Sequence, residues 1–319
     1  MSRIHCDYLK FTLPTDLDDD ALDELCREYF GYPFRNFDKL PNSRDRYADC
    51  FTLGGTVNVY RKGYAANAGT TCIDLPGDAL HRLQVDTLKL CRYIRDKGGN
   101  VCRFDICADD TSHVLPFDEI VRLSTGTTFK ELVRTKLCRN RKDTSGEVVQ
   151  VLPEISVQPK RVMYGSPKSD NYAVIYDKEY CTGTYYPYLR VELRLTNRKD
   201  TSALLMALTS PGTAPAAYMA GVIKGKLDFL IMDNPRKDRR STLPWWNEFL
   251  NGASIQKLKR EPSTSIKIES LDVARARRAF ERLKSRGDSE GLQQLFELFD
   301  SDHEARRIAY KDHPQLMDF

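Results

Sequence analysis

Hydrophobic and polar residues alternate over residues 4–13 with the period of a strand. The spacing then changes to that of a helix, with Leu22, Leu25, Cys26 and Tyr29 on one face after an N-cap at Thr15-Asp16. Two short alternating segments, 47–53 and 56–62, flank Gly54-Gly55 as the arms of a hairpin, and a third strand, 70–75, ends at Pro76-Gly77. From 79 to 97 the residues Leu80, Leu83, Leu90, Cys91 and Ile94 keep helical spacing. Gly98-Gly99 closes that helix, because glycine accepts a positive φ.

A strand follows at 101–108 and a short helix at 117–123, and the basic stretch to Glu147 reads as loop or short helix. Residues 148–157, 161–164, 172–176 and 188–195 look like successive strands, with the Gly165-Ser-Pro-Lys-Ser169 turn after the second. A helix is expected at 201–208. Beyond Pro211, short Pro- and Gly-punctuated helices lead to Trp245-Trp246. A loop at 261–265 then precedes a helix from Asp272 with Val273, Ala276, Phe280 and Leu283 on one face and arginines around the rest. Without any solenoid-like repeat, this order fits an α+β architecture of βαβ-type segments with helices on one face of a sheet.

With 319 residues, 41% apolar and 29% charged, the chain suits a folded main body plus a smaller C-terminal part. No signal-peptide core and no apolar run of membrane-spanning length is visible, so a cytoplasmic protein without a membrane partner is expected. Nine cysteines, an odd number without Cys-x-x-Cys spacing, read as reduced thiols and not as a disulfide framework or a zinc site.

A net charge of +4 decides little, but its distribution is uneven. Acids crowd 16–28, whereas 122–142 holds seven basic residues against Glu131 alone. Such a run favours a polyanionic ligand through counterion release, and a solvated basic surface is the alternative.

In Arg103-Phe-Asp-Ile-Cys-Ala-Asp-Asp110 strand alternation puts Arg103, Asp105, Cys107 and Asp109 on one face and Phe104, Ile106 and Ala108 on the other. Arg190, Glu192 and Arg194 share a face in the same way, as ligands or as a cross-strand ion pair. Asp74 is a third candidate acid. Three carboxylates would select Mg²⁺ or Mn²⁺ over zinc, and the five scattered histidines show no ligand spacing. Seven of the sixteen tyrosines fall between Tyr164 and Tyr188, offering either strand packing or stacking faces for unpaired bases. Tyr176 is followed closely by Lys178, a charge able to hold a phenol ionised. The alternative is a packed strand tyrosine.

Taken together, several segments carry a resemblance: Asp7-Tyr-Leu-Lys-Phe-Thr12, Thr71-Cys-Ile-Asp-Leu75, Cys102-Arg-Phe-Asp-Ile-Cys-Ala-Asp-Asp110, Met163-Tyr-Gly-Ser-Pro-Lys-Ser169, Ile175-Tyr-Asp-Lys178 and Arg190-Val-Glu-Leu-Arg194. Over roughly residues 4–210 the chain resembles the replication initiation factor family, rolling-circle initiators of plasmids, conjugative elements and filamentous phages and HUH-related tyrosine nucleases. The resemblance implies metal-dependent nicking of single-stranded or hairpin origin DNA by a tyrosine, giving a 5′-phosphotyrosyl link and a free 3′-hydroxyl, with later rejoining. It makes Tyr176 the nucleophile, with Tyr180 in reserve, and Asp105 and Glu192 metal ligands; the residues themselves add Lys178 as the assisting charge and Asp74 as the third candidate ligand. Where relatives often show a His-hydrophobic-acid triplet this chain has Cys72-Ile73-Asp74, a departure that bears on the ligand set.

Expected DNA contacts are Arg103, Arg190, Arg194, Tyr164, Ser166, Lys168, Lys136, Arg139 and Arg141. The implied fold is a central, mainly antiparallel sheet with ferredoxin-like βαβ elements, forming a nicking domain over 1–210. A mostly helical region, 211–319, would serve DNA recognition, dimerisation or recruitment of a host helicase and polymerase. Two other readings stand beside this one. A non-catalytic nucleic-acid-binding protein would use the same sheet and aromatics. A tyrosine recombinase is suggested by His303-Glu-Ala-Arg306, but Tyr310 follows too closely and the middle of the chain is strand-rich.

Overall fold

The computed structural model describes residues 2–138, 140–142, 148–150, 153–155, 161–183 and 188–259. Strand β1 (Arg3–Leu13) leads into α1 (Asp19–Phe30), whose N-cap is Asp18, accepting from the Ala21 amide, and not the expected Thr15-Asp16. The strands β2 (Asp38–Leu40), β3 (Tyr47–Leu53), β4 (Val57–Gly63) and β5 (Thr71–Pro76) follow. The single helix expected over 79–97 is two, α2 (Gly77–Arg82) and α3 (Thr87–Asp96). The apolar period runs through the break because Leu83 fits it. Gln84 nevertheless takes a positive φ, and the Asp86 carboxylate caps the amides of Leu88 and Lys89, starting a new helix.

Strand β6 (Asn100–Asp109) precedes α4 (Phe117–Thr125), α5 (Phe129–Leu132) and the short strands β7 (Val133–Thr135), β8 (Asn140–Lys142), β9 (Val148–Gln150) and β10 (Glu154–Ile155). The basic stretch read as loop or short helix thus also supplies strands. Next come β11 (Arg161–Tyr164), β12 (Asn171–Asp177), α6 (Lys178–Thr182), β13 (Leu189–Leu195), α7 (Arg198–Thr209), α8 (Pro215–Lys226), β14 (Leu227–Phe229) and α9 (Pro244–Phe249).

Ten strands form one sheet in the order β10-β11-β12-β13-β6-β1-β5-β4-β3-β2, and each pairing is antiparallel. Strands β5 and β6 both flank β1, so they run parallel to each other and are joined by α2 and α3. This is a split βαβ unit of the ferredoxin-like kind. The α+β expectation with a mainly antiparallel sheet holds.

Alternation sorts the sheet into two faces. Leu9, Phe11, Ile73, Leu75, Phe104, Ile106, Val191 and Leu193 join one buried core with residues of α1, α3, α4, α7, α8 and α9. The opposite face carries the polar residues of the same strands and a small separate cluster of Tyr47, Cys50, Tyr60 and Cys72.

The chain divides into compact units Met1–Arg260 and Glu261–Phe319. The boundary expected at residue 210 therefore falls inside the first unit: α8 packs on β1, β6 and β14, and β14 pairs with β7. The arginine-bearing helix expected from Asp272 and the His303-x-x-Arg306 pair lie outside the described residues. All nine cysteines are free, as expected. Among the described residues no helix is long and apolar enough to cross a membrane.

Candidate active site on the polar face of the sheet

Four neighbouring strands build the site in register. Glu192 of β13 lies opposite Val174 of β12 and Cys107 of β6. Arg190 lies opposite Tyr176 and Asp109, and Arg194 opposite Tyr172 and Asp105. Because the intervening Val191, Leu193, Ile106 and Ala108 are locked in the core, these polar side chains are committed to the other face.

Strand β1 adds Asp7 beside them. Ligand atoms of Asp7, Cys107 and Glu192 all lie within 4.8 Å of one another. The Tyr176 hydroxyl donates to Glu192 Oε2 over 3.4 Å, so a phenol stands at the edge of this group.

Charge around the group is finely divided. Arg190 is buried and grips Asp109 with two bonds, Nε to Oδ1 at 2.5 Å and Nη2 to Oδ2 at 3.0 Å, and its Nη1 reaches Asp7 Oδ2 at 3.0 Å. Burial raises the Asp7 carboxyl, but His5, Arg190 and Lys178 more than offset this and hold it below the usual aspartate range. Glu192 goes the other way. Burial first, then the nearby Asp105 and Asp7, push its carboxyl well above the ordinary range against the pull of Arg194.

Burial, followed by the Glu192 charge, likewise raises the Tyr176 phenol, and Arg190 opposes them. At neutral pH the tyrosine is therefore a protonated donor facing a carboxylate of high proton affinity. Cys107 is a thiol pushed far up by burial, a soft protonated neighbour ill-suited to a hard cation. The donors that suit such a cation are the oxygens of Asp7 and Glu192.

The expected site residues separate into three groups. Tyr176 and Glu192 are brought together. Asp105, 1% exposed, stands next to them and hydrogen-bonds Glu192, but its oxygens are also held by Arg103 (Nε to Oδ1 3.0 Å, Nη2 to Oδ2 2.5 Å) and by Arg194 (Nε to Oδ2 3.4 Å). Asp74 is not brought to the group. Its strand β5 is separated from β13 by β6 and β1, roughly 14 Å across the sheet, and its neighbours are Tyr8 and Lys10, whose Nζ is 3.8 Å away. Tyr180 sits on α6 and is 56% exposed. Lys178 opens α6, and its charge registers at Asp7. The chief opposing charge at Tyr176 is Arg190.

Two expected DNA contacts are corrected. Tyr164 is 0% exposed, its hydroxyl 2.6 Å from Ser124 Oγ and its ring against Phe229, so it stacks in the core and presents no face to a base. Arg190, 5% exposed, spends its guanidinium on Asp109 and Asp7.

Arg103 and Arg194 remain partly exposed, lying over the rings of Tyr8 at 3.6 Å and Tyr172 at 4.7 Å. Ser166 and Lys168 lie on the exposed turn after β11, and Lys136 is exposed just past β7. Arg139 lies outside the described residues, as does the side chain of Arg141, whose backbone is in β8.

Sequence reasoning missed Asp7, His5 and the ion-pair role of Asp109. His5 Nε2 lies 3.6 Å from Asp7 Oδ1, while its buried Nδ1 has no partner. The available signal was a His-x-Asp pair on a strand that neighbours the acid-bearing one.

The profile of the replication initiation factor family matches residues 99–276, more than half the chain and the part holding Asp105, Cys107, Tyr176 and Glu192. Among solved structures, a rolling circle replication initiator protein from Geobacillus stearothermophilus has the same fold. It is 17% identical with a TM-score of 0.60, over 82% of this chain and 100% of that chain. No curated protein matches the sequence. The chain belongs to the replication initiation factor family.

Proposed function

We propose that the protein initiates rolling-circle replication by nicking single-stranded origin DNA, with Tyr176 as nucleophile. The observation that carries this reading is the Tyr176 hydroxyl donating to Glu192 at 3.4 Å, beside a second carboxylate, Asp7. The phenol proton passes to Glu192 Oε2, the oxygen the hydroxyl already faces. The phenolate oxygen bonds to phosphorus, the P–O3′ bond breaks, and the departing oxygen becomes the 3′-hydroxyl once protonated. Arg190 stabilises the ionised phenol and keeps Asp7 charged. Reversal of the same step rejoins a strand, since the phosphotyrosyl bond conserves the phosphodiester energy.

Asp7 and Glu192 would hold Mg²⁺ or Mn²⁺, hard ions that match two carboxylates, with Asp105 behind them. Bound there, the ion supplies positive charge against the phosphate and the ionising phenol. Arg103 and Arg194, each lying over a tyrosine ring on this face, offer charge and a flat surface to the strand.

The test incubates the protein with Mn²⁺ and single-stranded DNA from the element that encodes it, then seeks a denaturation-resistant complex. Tyr176→Phe should abolish the complex and Tyr180→Phe should retain it. DNA binding that survives Tyr176→Phe, with no covalent complex from the wild type under any metal condition, would instead establish a non-catalytic binding protein.

A further inference from the structure

Asp7 reaches Glu192 because β1 is irregular at this residue. Leu9, Phe11 and Leu13 enter the core, and counting back by two would send Asp7 in with them. The pairing with β6 slips between Cys6 and Tyr8: Cys6 opposes Ile106, whereas Tyr8 opposes the adjacent Asp105. Asp7 is thus the extra residue of a β-bulge, and the bulge turns its carboxylate to the polar face.

Two neighbours shape this bulge. Tyr8 pairs with Pro76, so Gly77 stands opposite Asp7. A Cβ at position 77 would lie 2.6 Å from the Asp7 carbonyl oxygen and 2.8 Å from both its Cγ and its Oδ1. Gly77 is not among the glycines with positive φ, so the requirement is space and not conformation. On the core side the Cys6 thiol donates to the Tyr8 carbonyl at 3.4 Å, spanning the bulge. Arg190 and His5 then receive the carboxylate that the backbone has aimed.

We propose that Gly77 and Cys6 are positioning residues for Asp7: the bare backbone at 77 and the thiol bridge at 6 fix the bulge that delivers this carboxylate to a divalent cation. This rests on the function proposed above, in which Asp7 and Glu192 form the cation site. Neither residue touches the cation or the DNA.

Manganese alone, titrated into the full chain at fixed pH and followed by electron paramagnetic resonance, tests it. Gly77→Ala should weaken Mn²⁺ binding by roughly tenfold or more, the scale on which outer-shell supports act. Cys6→Ala, which adds no atoms, should weaken it by less. The matched control is Gly225→Ala, whose new Cβ would lie 2.4 Å from the Gln256 carbonyl oxygen. It should lower the melting temperature and leave Mn²⁺ affinity unchanged.

Wild-type affinity in Gly77→Ala, or an equal loss in Gly225→Ala, overturns the inference. Should Gly77→Ala fail to fold, unchanged affinity in Cys6→Ala overturns it instead. A wild type that takes up no Mn²⁺ refutes the cation reading and the inference with it. A wild type that binds Mn²⁺ but makes no DNA adduct refutes the nicking chemistry only, and the titrations still decide the role of Gly77.

Discussion

Along β13, Val191, Leu193 and Leu195 enter the core, while Arg190, Glu192 and Arg194 between them carry the ion pairs of the opposite face. The two sets share one backbone and one register, and different physics holds each. The apolar set is held by area removed from water, which is non-directional and shared among many neighbours. The polar set is held by a few bonds of fixed direction, each leaving a buried charge behind if it is lost. One face should therefore fail gradually under substitution and the other abruptly.

Arg190→Ala attacks the abrupt side and should have the largest effect. It strips the buried Asp109 of both its guanidinium bonds and Asp7 of its nearest cation, at about 3–5 kcal/mol for a broken buried pair. Urea unfolding checks this, and a loss below 1 kcal/mol would mean that the polar face is held much as an exposed surface is. Ile106→Ala attacks the gradual side. A fully buried isoleucine cut to alanine should lower stability by roughly 2–5 kcal/mol, toward the low end if α7, which packs on β6, moves into the gap. Its Mn²⁺ affinity should stay near wild type, because the strand register that sets Cys107 and Asp105 is untouched.

The two faces also differ in how far the sequence discloses them. Period-2 alternation suffices to place Phe104, Ile106, Val191 and Leu193 inside, and to place Asp105, Arg190 and Glu192 together on the other side. It fails at Asp7, since a single extra residue in β1 reverses the parity of every residue before it, and no local pattern marks the bulge. It fails differently at Asp74 and Tyr164. Strand periodicity gives a face but not the lateral order of strands, so it could not reveal that β6 and β1 stand between Asp74 and Glu192. Nor could it foresee that α4 would offer Ser124 to the Tyr164 hydroxyl and draw that ring inward. The helix pair α2 and α3 shows the same limit, because a cap at Asp86 interrupts a hydrophobic spacing that by itself reads as continuous.

The smallest effect expected comes from a buried carboxylate outside the ten-stranded sheet. Asp228 in β14 is fully buried on the face of its strand opposite to the core residues Leu227 and Phe229, with Arg134 Nη2 at 3.2 Å and Thr242 donating at 3.3 Å to one oxygen, while its Oδ1 has no partner. Asp109, on the polar face, has both oxygens bonded. Burial raises the Asp228 carboxyl from 3.8 to about 6, with Arg134, Thr242 and Lys224 opposing incompletely. A folded value above the unfolded one means that the folded protein binds this proton more tightly. The stability it contributes is full below about pH 4 and is lost as pH rises to about 6, after which it is flat. Asp228→Asn cannot ionise and should lack that decline. Between pH 4 and pH 7, the stability of the variant relative to wild type should shift in its favour by roughly 2 kcal/mol, read from urea midpoints at the two pH values. A shift of the opposite sign would show that Arg134 more than compensates the buried charge, and that a single well-placed guanidinium can make this buried site as hospitable to a carboxylate as the polar face is to Asp109.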